Sequence, residues 1–237
     1  MVNYYKIAKI IVKLEYNSKY VEHIFSPFLI EEKSLFDVYL SATEQEILSE
    51  LQLMDEKYVD LAESTALLRK LANILLKNFN CLLFHSSAIM YNENAFLFTA
   101  PSGTGKSTHT KLLKELLNDS VLYINDDKPL LKLENQNFTV YSSPWLGKHY
   151  LGNNLSAPLK AIVLINRSNE NFAKKLSYDE ALKVVFEQTV NAKDDKSAQN
   201  YLNLVLQLVN GVDFYLLNCT KNVESAKYSF ENILSKY

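Results

Sequence analysis

The hydrophobic pattern of the chain changes period several times. From Tyr5 to Leu14 apolar and polar residues roughly alternate, the period of a half-buried strand, and Leu35-Phe36-Asp37-Val38-Tyr39-Leu40 reads as a second strand. Thr43-Glu44-Gln45-Glu46 then has the spacing of a capping box, which predicts a helix start. Between about 59 and 79, Leu61, Leu67, Leu68, Leu71, Ile74 and Leu75 recur at helical spacing and predict a longer amphipathic helix. Residues 1–80 carry no cluster of reactive side chains. They are expected to form an annex of strands and helices that either covers a sheet or holds a partner.

From Cys81 onward the pattern is β-rich. Leu82 to Met90 and Ala95 to Thr99 read as two strands joined by a turn around Asn92-Glu93-Asn94. A helical stretch from His109 to Leu117 precedes a strand from Val121 that ends in Asp126-Asp127. Leu130 to Leu133 and Phe138 to Tyr141 read as a hairpin, and a loop runs from Ser142 to Pro158. Ala161 to Ile165 is a core strand, and Ser177-Tyr178-Asp179-Glu180 caps a helix to about Gln188. A helix from Ala198 to Leu208 stops before Gly211, a strand covers Phe214 to Leu217, and a last helix starts near Val223. Strands alternating with helices make residues 81–237 an α/β domain following the 1–80 annex.

Composition narrows the function. A net charge of −2 gives no general attraction to nucleic acid or to an anionic membrane. No apolar run approaches the ~20 residues of a membrane span. Met1 to Leu14 mixes lysines with apolar residues and lacks the pattern of a secretory signal, so a cytoplasmic location is expected. Cys81 and Cys219 stand in apolar surroundings and are expected to be buried free thiols. Of the 25 basic residues only Arg69 and Arg167 are arginine, which limits any guanidinium clamp to those two. Of the 5 glycines, Gly103, Gly105, Gly147 and Gly152 fall close together, and Pro101, Pro129 and Pro144 lie among them. A chain sparing of glycine that concentrates it here is building unusual backbone here, which marks the functional face.

The strongest motif lies in that region. Ala95-Phe96-Leu97-Phe98 leads into Thr99-Ala100-Pro101-Ser102-Gly103-Thr104-Gly105-Lys106-Ser107-Thr108, and a helix follows. Strand, glycine-bearing turn, Gly-Lys-Ser and helix is the layout of a phosphate-binding loop. Glycines let backbone N–H groups close on phosphate oxygens, and the helix N-terminus adds unpaired donors and partial positive charge. Ser102, Gly103, Thr104, Gly105, Lys106, Ser107 and Thr108 are therefore the candidate nucleotide-binding residues. Lys106 supplies charge for the β- and γ-phosphates, and the Ser107 hydroxyl is a candidate Mg²⁺ ligand. Ala100 replaces the usual first glycine.

Phosphoryl transfer also needs a metal site and a group to take the acceptor's proton. Asp126-Asp127 supplies two carboxylates, one for each task. Adjacent strand residues point to opposite faces, so both serve one site only if the strand ends or twists there; Pro129 is compatible with an ending. His85 interrupts an apolar run and reads either as a satisfied core histidine or as a site residue. Ser142-Ser143-Pro144-Trp145-Leu146-Gly147-Lys148-His149 holds the single Trp. It is either a structural Pro-Trp turn or a source of Lys148 for the γ-phosphate or an acidic acceptor group. His109 is expected to be exposed on the loop helix, and His23 to be incidental.

His85, the Ser102-to-Ser107 loop and Asp126-Asp127, in this order, resemble the catalytic domain of HPr kinase/phosphorylase over roughly residues 80–165. The loop also resembles that of phosphoenolpyruvate carboxykinase, which shares the nucleotide-binding fold. The resemblance implies a β-rich, mixed-sheet P-loop domain and ATP and Mg²⁺ as cofactors. It implies Lys106 and Ser107 as phosphate and metal ligands, Asp126 as the base, Asp127 as the metal partner, and His85 near the reacting phosphate. The family's hexamers make homo-oligomerisation an expectation by analogy. Its arginine- and glycine-rich signature after the acid pair is absent here, so phosphorylase activity and HPr as substrate are not implied. The chain is also similar in size and layout to HPr-kinase-like proteins that phosphorylate serine on ribosomal peptides. The expected function is ATP-dependent phosphorylation of a hydroxyl on a peptide, a protein or a small molecule. The alternatives are a nucleotide hydrolase and an ATP-gated peptide-binding module.

Overall fold

The structure, a computed structural model, describes residues 1–32, 35–54, 58–101, 103–189 and 195–237. Strands β1 (Val2–Ile7) and β2 (Ile10–Glu15) form a hairpin, so the alternating run from Tyr5 to Leu14 is two strands. The turn between them puts Ala8 and Lys9 at φ 48° and 67°. No Asn-Gly pair announces it, which is why periodicity alone reads straight through. Helix α1 (Lys19–Phe25), unforeseen in the sequence, is capped by the Ser18 side chain. The buried Glu63 carboxylate adds a second cap by accepting from the N–H groups of Asn17 and Ser18 at 2.8 and 2.9 Å. Strands β3 (Leu29–Ile30) and β4 (Val38–Leu40) complete a four-stranded sheet in the order β3-β1-β2-β4. Helix α2 (Glu44–Leu51) starts in the expected capping box, and α3 (Val59–Phe79) ends on Asn80 in the left-handed region.

A larger, nine-stranded mixed sheet follows. It comprises β5 (Cys81–Leu83), β6 (Ser87–Tyr91), β7 (Asn94–Thr99), β8 (Val121–Asn125), β9 (Leu130–Glu134), β10 (Asn137–Tyr141), β11 (Ser156–Arg167), β12 (Phe172–Lys175) and β13 (Asp213–Cys219). The apolar run from Leu82 to Met90 thus splits into β5 and β6, which occupy different places in the sheet, and His85 falls in the break rather than in a strand. Helix α4 (Lys106–Leu117) follows β7, α5 (Tyr178–Gln188) and α6 (Asp195–Gly211) lie between β12 and β13, and α7 (Val223–Asn232) comes last. The long strand β11 joins two regions. Its first residues pair antiparallel with β10; past an irregularity between Leu159 and Ala161 it runs parallel to β7 and β13.

Side-chain alternation decides the layers. In β7, Ala95 and Leu97 face a core that includes Val184 and Val185 of α5 and Leu204 and Leu208 of α6. Phe96 and Phe98 face the opposite core with Leu113 of α4 and Ala226 of α7. Burying each phenylalanine contributes on the order of 2–3 kcal/mol. A third core lies under the N-terminal sheet. It gathers Tyr5, Phe25 and Leu71, and continues without interruption into Cys81, Leu83 and Leu130 of the larger sheet and Trp145 of the loop after β10. Both cysteines are buried and free, and burial pushes the Cys81 thiol up to about 12. No described helix is long and apolar enough to cross a membrane.

Candidate functional site

Strand directions bring the site together. Strand β6 is antiparallel to both β7 and β8, so β7 and β8 run the same way, as does the parallel partner β11. The ends of β7, β8 and β11 and the start of β6 therefore share one edge of the sheet. Ligand sites of α/β sheets form at this kind of edge because loops, not ladders, occupy it.

The turn after β7 carries Gly103 at φ 76° and Gly105 at φ 120°, conformations that a side chain would strain. Helix α4 starts directly at Lys106. Gly103, Gly105, Lys106, Ser107 and Thr108 line a hollow of about 400 Å³, together with His85, Asp126, Asp127, Gly147, Lys148 and His149. Thr104 lies instead against a small hollow behind the turn, beside Arg167. Ser102 lies outside the described residues. The Lys106 ammonium donates to the Ala100 carbonyl at 3.1 Å, and burial lowers its pKa despite the neighbouring acids.

The strand question raised by Asp126-Asp127 has a clear answer: β8 ends at Asn125. The Asn125 Oδ1 accepts the N–H groups of Asp127 and Lys128 at 2.9 and 2.7 Å, curling the chain. Its Nδ2 donates to the Ser143 carbonyl at 3.0 Å. Both carboxylates consequently reach the same hollow, on different neighbours. Asp126 is buried, its Oδ1 accepts from Ser87 Oγ at 2.5 Å, and Ser107 lines the same hollow. Burial raises the Asp126 pKa, with the Ser87 hydrogen bond and the nearby Ser107 hydroxyl opposing. Asp127 is about one-third exposed and lies 3.3 Å from His85 Nε2 and 3.0 Å from Lys128 Nζ. Burial pulls its pKa up, but the His85 hydrogen bond and Lys128 charge outweigh it and hold it below the ordinary carboxylate value. Two adjacent acids are thus driven in opposite directions by their surroundings.

His85 is fixed through its backbone: its N–H donates to Gln188 at 2.8 Å, and its carbonyl accepts from Thr99 Oγ1 at 2.8 Å. Gly147, at φ 73°, lets the 142–150 loop approach the acids, since a Cβ there would stand 3.0 Å from the Asp127 Cβ. Trp145 anchors that loop by donating from Nε1 to Ser64 Oγ at 2.9 Å and by meeting Phe25 edge-on. Lys148 and His149 both reach the hollow. His109 corrects the sequence reading: it is buried, with Nε2 2.9 Å from Ser229 Oγ, because α4 turns that face onto α7. His23 meets Tyr150 edge-on and stays outside the hollow.

Sequence reasoning missed Ser87, Thr110 and Asn125, and gave Arg167 only as one of two possible sources of a guanidinium clamp. Ser87 Oγ lies 3.0 Å from Thr110 Oγ1, linking the start of β6 to α4 behind Asp126. Arg167, at the end of β11, donates through Nε to the Thr104 carbonyl at 2.8 Å and also bonds the Gly103 carbonyl, bracing the turn from outside. An Asn directly before an acid pair is a readable turn signal; for Ser87 and Arg167 the contacts are purely tertiary.

No family profile and no curated protein sequence matches the chain. Among solved structures, the Hpr(Ser) kinase/phosphatase from Coxiella burnetii is similar over 65% of this chain and 97% of its own, at 10% identity and a TM-score of 0.38. That is a loose likeness of overall shape.

Proposed function

We propose that the protein is an ATP-dependent phosphotransferase acting on a hydroxyl. The observation that carries this reading is the meeting of Lys106, Ser107, Asp126, Asp127 and His85 around one hollow at the strand ends. Backbone N–H groups of 103–107 and the Lys106 ammonium suit the β- and γ-phosphates. The Ser107 hydroxyl and the Asp126 carboxylate line the same hollow, a fitting oxygen pair for Mg²⁺. No group of three or more His, Cys, Asp or Glu among the described residues forms a metal cage of its own. Bound there, Mg²⁺ supplies charge neutralisation on the phosphate oxygens.

The contacts favour a division of labour opposite to the one the family resemblance implies. Asp126 is enclosed by Ser87 and Ser107, the hydroxyls beside the helix start. Asp127 is more open, is held ionised by His85 and Lys128, and also lines the neighbouring hollow described below. Asp127 accepts the acceptor's hydroxyl proton while the acceptor oxygen bonds to the γ-phosphorus. The bond from that phosphorus to the β,γ-bridging oxygen breaks, and ADP leaves with the electron pair.

The test is transfer from ATP labelled at the γ-phosphate into a cell extract, with Asp127→Asn and Asp126→Asn compared. Asp127→Asn is expected to keep MgATP binding and lose transfer by about 10²–10⁴-fold. Asp126→Asn is expected to weaken MgATP binding itself. Label released only as free phosphate, with no labelled acceptor in any fraction, would instead identify a hydrolase.

A further inference from the structure

A larger hollow of about 660 Å³ adjoins the phosphate hollow. The two share Asp127, Gly147 and Lys148. Away from these residues the wall turns apolar: Tyr20 and Ile24 of α1, Leu61 and Leu68 of α3, then Trp145 and Leu146. A further hollow of about 540 Å³ continues past Tyr20 and Leu61 to Tyr58 and Val59. The result is a trough that begins at Asp127 and runs along α3 to its N-terminus. From Leu68 back to Val59 the helix wall measures roughly 14 Å. An extended chain covers that in about four residues, whereas a compact alcohol fills only one end.

Two features define the occupant. The wall residues Leu61 and Tyr150 are 42% and 52% exposed, so the trough offers apolar surface to a ligand. At the polar end Lys128 is paired with Asp127 and Arg69 with Glu50, but Lys148 has no ion pair among the described residues. It lines both hollows along with Asp127, and an anionic group on the ligand would complement it there.

We propose that this trough is the acceptor site. It takes an extended peptide segment whose hydroxyl residue rests at Asp127, with bulky apolar side chains along α3 and an acidic side chain at Lys148. This rests on the phosphotransferase reading and adds to it the substrate's chemical class and a role for the N-terminal layer.

The single tryptophan, Trp145, lies in the trough wall and reports its occupancy without any turnover. The probes are acetylated hexapeptides with a central serine, a glutamate on one side and leucine and phenylalanine on the other, compared with serine amide and glycerol. With nucleotide absent, the apolar peptides are expected to change Trp145 emission saturably. Glycine in place of their apolar residues, or Leu61→Glu or Tyr150→Ser in the protein, is expected to weaken binding at least tenfold. Leu202→Glu, at an exposed position of α6 away from the trough, serves as the control and is expected to change nothing. An unmoved spectrum, undiminished binding by both trough variants, or tighter binding of serine amide than of any peptide would overturn the proposal. Binding of a fluorescent ATP analogue, measured separately, keeps the two readings apart. Its failure would sink the phosphotransferase reading while leaving a peptide-binding trough.

Discussion

Asn125 shows how one side chain can set a site's geometry. It is fully buried, and three of its hydrogen bonds tie the end of β8 to Asp127, Lys128 and Ser143. Asn125→Ala would leave the buried Ser143 carbonyl and the half-buried N–H groups of Asp127 and Lys128 without this partner, at a cost of about 1–3 kcal/mol. The variant should fold with a lower denaturation midpoint, and transfer should fall more than MgATP binding, because Asp127 loses its fixed position. His109 makes a different prediction. Burial pushes its pKa down from 6.5 to about 4, so the unfolded chain takes up a proton that the folded one resists. That stability is complete above about pH 6.5 and is lost as pH falls toward 4, up to about 3 kcal/mol. Urea unfolding of the metal-free protein at pH 7 and pH 5 should show the loss, and His109→Gln should flatten it.

At the level of elements, local signals were legible where a side chain caps or turns its own segment. Thr43 and Ser177 form the two capping boxes that start α2 and α5, both readable from four residues. Ser177→Ala should lower stability by about 1 kcal/mol, measurable as a shifted unfolding midpoint at constant denaturant slope. Asn92 and Asn135, at positive φ, marked their hairpin turns, whereas Ala8 and Lys9 adopt the same region with no such cue. The break between β5 and β6 was hidden for another reason. Phe84 is as apolar as a strand residue because it is buried where it bridges Thr189. Only the sheet order puts His85 into the gap and beside Asp127. The turn at 103–107 and the two acids were visible as residue types; which acid meets which neighbour depends on where β8 stops.

For the whole molecule the central feature is continuity. The sequence changes character near residue 80, yet the core beneath the N-terminal sheet includes Leu83, Leu130, Tyr141 and Trp145 from beyond that point. Trp145 is held by Ser64 and packed on Phe25, so the loop that approaches the acids depends on residues of the first 80. A fragment of residues 81–237 would expose this apolar face and is expected to aggregate or bind a hydrophobic dye when expressed alone. A soluble fragment with a cooperative unfolding transition would show that the loop needs no such support.

The most direct test of the whole account is calorimetric titration with ATP, with and without magnesium. One saturable site per chain is expected, tightened by magnesium and weakened about tenfold or more by Lys106→Ala. Asp126→Asn should abolish the magnesium effect while leaving metal-free binding in place. No saturable heat from ATP under either condition, or equal binding by wild type and Lys106→Ala, would contradict it.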